Sequence, residues 1–207
     1  MFRLVLAFVA VAGLGAPAAA ATALSVRVVD SAGRPIRDAV VTVRPTGASA
    51  RRPAAPGKFV VTQKDLEFRP FVTVVPQGAL VSFPNLDPMK HHVYSFSAAK
   101  RFELKLFARD QSRSVRFDKP GVVALGCNIH DNMTAFIVVA DSLWTAKTNA
   151  QGLVVFNSAP SVPAKVSVWH PYLRAPANSV SKSIGAGNRN ERFVVALRPV
   201  PMAMGAY

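Results

Sequence analysis

Between Lys58 and Asp141 the apolar residues never recur with the spacing of a helix face. They come instead in short runs, cut by turn residues such as Pro76-Gln77-Gly78. Phe59 to Thr62, Phe71 to Val75, Leu80 to Phe83 and Val93 to Phe96 are rich in β-branched and aromatic residues. Phe102 to Phe107, Ser114 to Phe117, Val122 to Leu125 and Ala135 to Val139 continue the series, the first alternating apolar with charged residues. A period of two places alternate side chains on one face of a strand. A sheet with one apolar face must bury it against another layer. Short strands at this spacing predict an all-β sandwich over residues 58–141.

The flanks follow the same rule in a different style. Leu24 to Asp30 alternates, Ser31 to Pro35 makes a turn, and Ala39 to Val43 alternates again. Thr46 to Gly57 is rich in Pro, Ala and Arg without an apolar period, and predicts an exposed link. Beyond Asp141 come a polar strand and turn (Thr145 to Gly152), an apolar strand (Leu153 to Phe156) and a strand from Lys165 to Trp169. A Gly/Asn/Ser-rich loop then leads to alternation from Arg192 to Arg198, and a frayed tail from Pro199. His170, in Trp169-His170-Pro171, reads as a strand-end residue and not a ligand.

Met1-Phe2-Arg3, the apolar run from Leu4 to Ala16 and the alanines that follow Pro17 have the order of a secretory signal, with cleavage expected after Ala20 or Ala21. That run is too short to cross a bilayer comfortably, so no stable membrane span is expected. An exported, periplasmic or secreted protein follows. The formal charge of +14 falls to +13 once Arg3 leaves with the signal. It suits an acidic protein partner or an anionic surface. The basic residues are scattered and bring no nucleic-acid motif, and export argues against nucleic acid as a partner.

Chemistry concentrates in Cys127-Asn128-Ile129-His130-Asp131-Asn132-Met133. Cys127 is the single cysteine, so an internal disulfide is excluded. His91 and His92 stand upstream, where a strand begins. One thiolate, two imidazoles and a weak thioether form the ligand set of a blue-copper electron-transfer site. Cys127, His130 and Met133 offer three of these donors from one loop between two strands. Adjacent strand residues face opposite ways, so His91 and His92 are alternatives for the fourth. Other readings of the same residues are a buried structural cysteine, a zinc site, for which Met is a poor ligand, and a Cys-His nucleophile, for which no orienting third residue is evident. Asn85 and Asn128 are candidates to hold the two ligand loops together by hydrogen bonds. Asp87 and Asp131 read as turn caps.

Phe83-Pro84-Asn85-Leu86-Asp87 followed by His91-His92-Val93-Tyr94-Ser95-Phe96 resembles the first ligand loop of the cupredoxins, in the plastocyanin and amicyanin branch. Cys127-x-x-His130-x-x-Met133 has the spacing of the short amicyanin ligand loop. The arrangement is similar to cupredoxin-like proteins labelled methylamine utilization proteins. The resemblance implies a Greek-key β-sandwich with one type 1 copper held by His91, Cys127, His130 and Met133, with His92 the alternative to His91. The chain departs from the plastocyanin pattern at His92, Leu125 and Ile129, where Asn, an aromatic residue and Pro are usual.

The flanks carry a second resemblance. Asp30 to Pro35, Asp38 to Val41, Thr148 to Leu153 and Val166 to Trp169 look like a carboxypeptidase regulatory-like, transthyretin-like β domain. The expected division is a signal at 1–21, the first part of this domain at 22–46, a cupredoxin domain at 58–141, the second part at 142–199 and a tail at 200–207. The implied function is one-electron transfer without catalysis, to an acidic redox partner protein. A copper carrier or sensor without redox turnover and a metal-free scaffold or adhesion module are the alternatives.

Overall fold

The computed structural model describes residues 22–47, 57–159, 161–187 and 189–199. The expected signal, most of the 46–57 link and the 200–207 tail lie outside them. The chain is built from strands: β1 (Thr22–Val29), β2 (Val40–Pro45), β3 (Phe59–Val60), β4 (Thr62–Lys64), β5 (Glu67–Arg69) and β6 (Val72–Pro76). β7 (Ala79–Pro84), β8 (His91–Ser97), β9 (Lys100–Phe107), β10 (Ser112–Phe117), β11 (Gly121–Gly126) and β12 (Thr134–Ala140) follow. The last are β13 (Thr145–Lys147), β14 (Leu153–Ala159), β15 (Ala164–Trp169), β16 (Ser179–Ile184) and β17 (Asn190–Val194). Among the described residues the only helical element is a single 3-10 turn, Pro176–Asn178.

Two sandwiches result. In the first, a five-stranded sheet ordered β6-β12-β11-β8-β9 faces a three-stranded sheet ordered β10-β7-β3. Between β6 and β12 the chain changes sheet four times, so strands close in space are distant in sequence. The alternation of β7 explains its burial: Ala79, Val81 and Phe83 face inward and are fully buried, while Leu80 points out. They meet Val93, Val123, Leu125 and Ile137 of the opposite sheet in one core. Each such side chain contributes about 1.5–3 kcal/mol by leaving water.

The second sandwich pairs a sheet ordered β14-β1-β17 with one ordered β13-β2-β15-β16. Each sheet thus takes one inner strand from before the first sandwich and the rest from after it. Leu24, Val26 and Val28 of β1 meet Val41, Val43, Val166 and Val168 in its core. The turn before β14 depends on Gly152, at φ +66°, where a Cβ would fall 2.4 Å from the Val28 carbonyl oxygen. The sandwiches meet at a seam of Val40, Val72, Val138, Phe71, Phe136 and Trp169. There Lys147 Nζ donates to both Asp38 (2.8 Å) and the Val72 carbonyl (2.9 Å).

One expectation is corrected. The Gly/Asn/Ser-rich segment after His170 contains β16, paired antiparallel with β15 from Ala164↔Ile184 to Trp169↔Ser179. It is an edge strand whose inward apolar residues are few, so backbone pairing and not an apolar pattern holds it. The β4–β5 hairpin was likewise unmarked in the sequence.

Candidate metal centre

β8, β11 and β12 are neighbours in the five-stranded sheet, and each carries one margin of the site. His91 opens β8, Cys127 follows β11 directly and Met133 immediately precedes β12. The pairing Gly126↔Thr134 makes residues 127–133 a closed loop, and the Met133 amide donates to the His130 carbonyl at 3.0 Å. On the other side Gly126 pairs with Tyr94 of β8. Gly126 carries no side chain because the Tyr94 ring lies over it; a Cβ there would stand 2.8 Å from a ring carbon.

The donors of His91, Cys127 and His130 all lie within 4.8 Å of one another. His91 Nδ1 is 3.2 Å from His130 Nδ1, and Cys127 Sγ is 3.7 Å from the same nitrogen. Donors that share one ion at bond lengths of about 2.0–2.3 Å stand at roughly such separations. Met133 is buried in the same core as Cys127, which is 4% exposed. His91 is wholly buried and His130 half-buried, so the centre is closed inside and open at one imidazole. The residues fit copper: two borderline nitrogens, one soft thiolate and a thioether nearby.

His92 turns elsewhere. The β8–β9 register shifts between His91 and Val93, and His92 Nε2 meets Glu103 Oε1 at 2.9 Å. His91 is therefore the histidine brought to Cys127. His170 sits just past β15, buried, and its Nδ1 accepts the Tyr172 amide at 3.2 Å. Among the described residues the one cluster of metal-ligating side chains is that of His91, Cys127 and His130.

Asn85 braces the loop that leads to His91. Fully buried, it donates to the carbonyls of Met89 (2.8 Å) and Phe107 (3.0 Å) and accepts the Asp87 amide (2.9 Å). These bonds tie its own loop to the end of β9, while Asn128 lies exposed on the other loop. Asp87 does more than cap a turn, and this the sequence reading missed. Its carboxylate bonds His91 Nε2 at 2.7 Å and accepts the amides of Asp65 (2.6 Å) and Leu66 (3.1 Å). Burial alone would raise its pKa. The Leu66 amide, the His91 side chain, the Asp65 amide and the His91 charge outweigh this and hold it below the ordinary value. An ionised Asp87 only accepts, so the hydrogen of neutral His91 is assigned to Nε2 and Nδ1 keeps a lone pair toward Cys127 and His130. The only signal for this role was the four-residue spacing from Asp87 to His91.

No protein-family model matches the chain, and no curated protein sequence does. Solved structures are similar over part of it. A Cu-containing nitrite reductase from Thermus scotoductus SA-01 aligns over 48% of this chain and 26% of its own, at 23% identity and a TM-score of 0.40. The chain thus spans about a quarter of that reductase. The oxidized state of a proline-to-alanine mutant of amicyanin aligns over 48% of this chain and 98% of its own, at 21% identity and a TM-score of 0.39. The reduced Cu(I) form of another amicyanin mutant, at pH 4, covers the same shares at 21% identity and a TM-score of 0.38.

Proposed function

We propose that the protein binds one copper ion as a type 1 site through His91, Cys127, His130 and Met133, and serves as a one-electron carrier. The observation that carries this reading is the convergence of two imidazole nitrogens and the single thiol within 4.8 Å, beside a buried methionine. Copper so held supplies a couple between Cu(I) and Cu(II). The chain's part is to keep the donors in place whether or not an electron is present. Asp87 fixes the His91 ring, the β11–β12 loop fixes Cys127 and His130, and the core packs around Met133. Little then has to move when the charge changes.

His130, half-exposed, is the route for electrons. Leu86, Met89 and Ile129, on the loops that bear the ligands, expose 42–49% of their surface and form the contact face for a redox protein. The strongly basic balance of the chain, +14 over its full length, favours an acidic surface on that partner. The signal-like residues 1–21 support a periplasmic place of action, and the second sandwich serves as a scaffold without chemistry of its own.

The test is a Cu(II) titration of the mature protein, followed by visible absorption and EPR, beside Cys127→Ser. An intense thiolate-to-copper band with narrow hyperfine splitting, absent in the variant, is the expected result. Colourless, exchangeable binding would instead make the protein a copper carrier. Failure to bind either Cu(II) or Cu(I) stoichiometrically would leave a metal-free scaffold.

A further inference from the structure

A cleft of about 420 Å³ opens at the seam of the two sandwiches. Phe71 walls it from the first sandwich, and Ile36, Tyr172 and Leu197 wall it from the second. Phe71 and Tyr172 lie nearly parallel, with centroids 6.0 Å apart and 19° between planes. This is a rigid apolar surface of the size that takes a small organic molecule.

Its polar groups are few and directional. His170, 6% exposed, lines the cleft. Its Nδ1 accepts the Tyr172 amide, so the neutral ring carries its hydrogen on Nε2, which has no partner among the described residues. Asp38 is already held by Lys147 (2.8 Å) and Arg37 (3.1 Å). A second cleft of about 580 Å³ continues the first, sharing Ile36 and Leu197, and is lined by Arg34, Arg174 and Arg198. Arg34 pairs with Asp30 at 2.6 Å, and Arg198 donates to Pro171 and Asn178. The Arg174 guanidinium has no side-chain partner among the described residues. Around the joined clefts, four arginines face two carboxylates that are both already engaged.

We propose that these joined clefts bind a small amphipathic carboxylate. Its apolar body rests on Phe71, Tyr172, Ile36 and Leu197, it accepts a hydrogen bond from His170 Nε2, and its charge meets Arg174. An unpaired guanidinium, an open donor on a buried ring and the apolar wall the two clefts share select a carboxylate over a cation or a plain hydrocarbon. The site is independent of the copper reading.

The test is an NMR titration of the ¹⁵N-labelled mature chain with 3-phenylpropanoate and, separately, its neutral counterpart 3-phenylpropanamide. Saturable shifts at the amides of Ile36, Tyr172 and Leu197 are expected with the acid, and binding at least tenfold weaker with the amide. Arg174→Gln, at an exposed position whose backbone bond to Ala196 the substitution leaves in place, should weaken the acid about three- to tenfold and leave the amide unchanged. Equal binding of acid and amide would overturn the anionic assignment. No saturable shift at these amides by 5 mM, or shifts scattered over the basic surface, would overturn the site.

Discussion

Replacing Asn85 with Ala removes three hydrogen bonds from a position with no exposure to water. Each such bond contributes about 0.5–1.5 kcal/mol net, and a buried group left without a partner costs about 1–3 kcal/mol. The Phe107 carbonyl lies at the end of β9 on a residue 1% exposed, and the Asp87 amide on one 5% exposed. Neither is well placed to recruit water. The Met89 carbonyl belongs to a residue 42% exposed and can be resolvated. Two full penalties and one net bond sum to about 2.5–7.5 kcal/mol. With a urea m-value of about 2–3 kcal/mol/M, the unfolding midpoint should fall by roughly 1–4 M. Circular dichroism measures the whole chain, while Trp144 and Trp169 belong to the second sandwich and its seam. The tryptophan-reported midpoint should move less than the circular-dichroism one. A fall below about 0.4 M at unchanged m would refute the claim that Asn85 fixes this loop.

Gly152→Ala forces a side chain into left-handed backbone and against the Val28 carbonyl, at a combined cost of about 2–4 kcal/mol. Trp144 fluorescence during urea unfolding should report a loss of that size, and a loss under 1 kcal/mol would contradict it. His170 has its pKa lowered by burial, partly opposed by the charge of Asp38. The unfolded chain therefore takes up this proton first, so its contribution is complete above about pH 6.5 and is lost as pH falls through the native value. Between pH 7.5 and 5, His170→Phe should lose stability less steeply than the parent, and equal slopes would remove the assignment.

Much of the sandwich pattern was legible because burial repeats every second residue, as in Ala79, Val81 and Phe83. Where pairing substitutes for packing, that signal vanishes. β16 pairs with β15 alone, at a sheet edge. The β4–β5 hairpin has three-residue strands and turns at Asp65 and Leu66, both at positive φ, without the glycine that usually marks such a turn. The approach of Cys127 to His130 was legible because the two are three residues apart in one loop. Placing His91 rather than His92 beside Cys127 depended on the β8–β9 register shift and on the pairing of β8 with β11, which joins Tyr94 to Gly126 and leaves no local signal.

Asp87 shows how far this site extends beyond its donors. The hairpin tip holds Asp65 and Leu66 at φ 56° and 59°, a conformation that costs a non-glycine residue about 1–3 kcal/mol. It thereby aims two amides at one carboxylate, which aims its own charge at His91 Nε2. Asp87→Asn keeps the shape and reverses the logic. The new amide group has one oxygen, so its NH₂ faces a backbone N–H in either orientation, and keeping the oxygen on the shorter Asp65 bond (2.6 Å) puts the NH₂ at the Oδ2 position, toward His91 and the more distant Leu66 amide (3.1 Å). The favourable solution turns the NH₂ to His91, whose Nε2 then accepts and whose Nδ1 carries the hydrogen. A protonated Nδ1 has no lone pair for the metal, and outer hydrogen-bond partners of ligating histidines are worth about 10–100-fold in affinity. Imidazole ¹⁵N shifts of the metal-free variant should show the Nδ1–H form of His91, with copper affinity reduced by about that factor. Retention of the Nε2–H form, with copper affinity within threefold of the parent, would mean that the chain of contacts from Leu66 to Asp87 does not set the histidine.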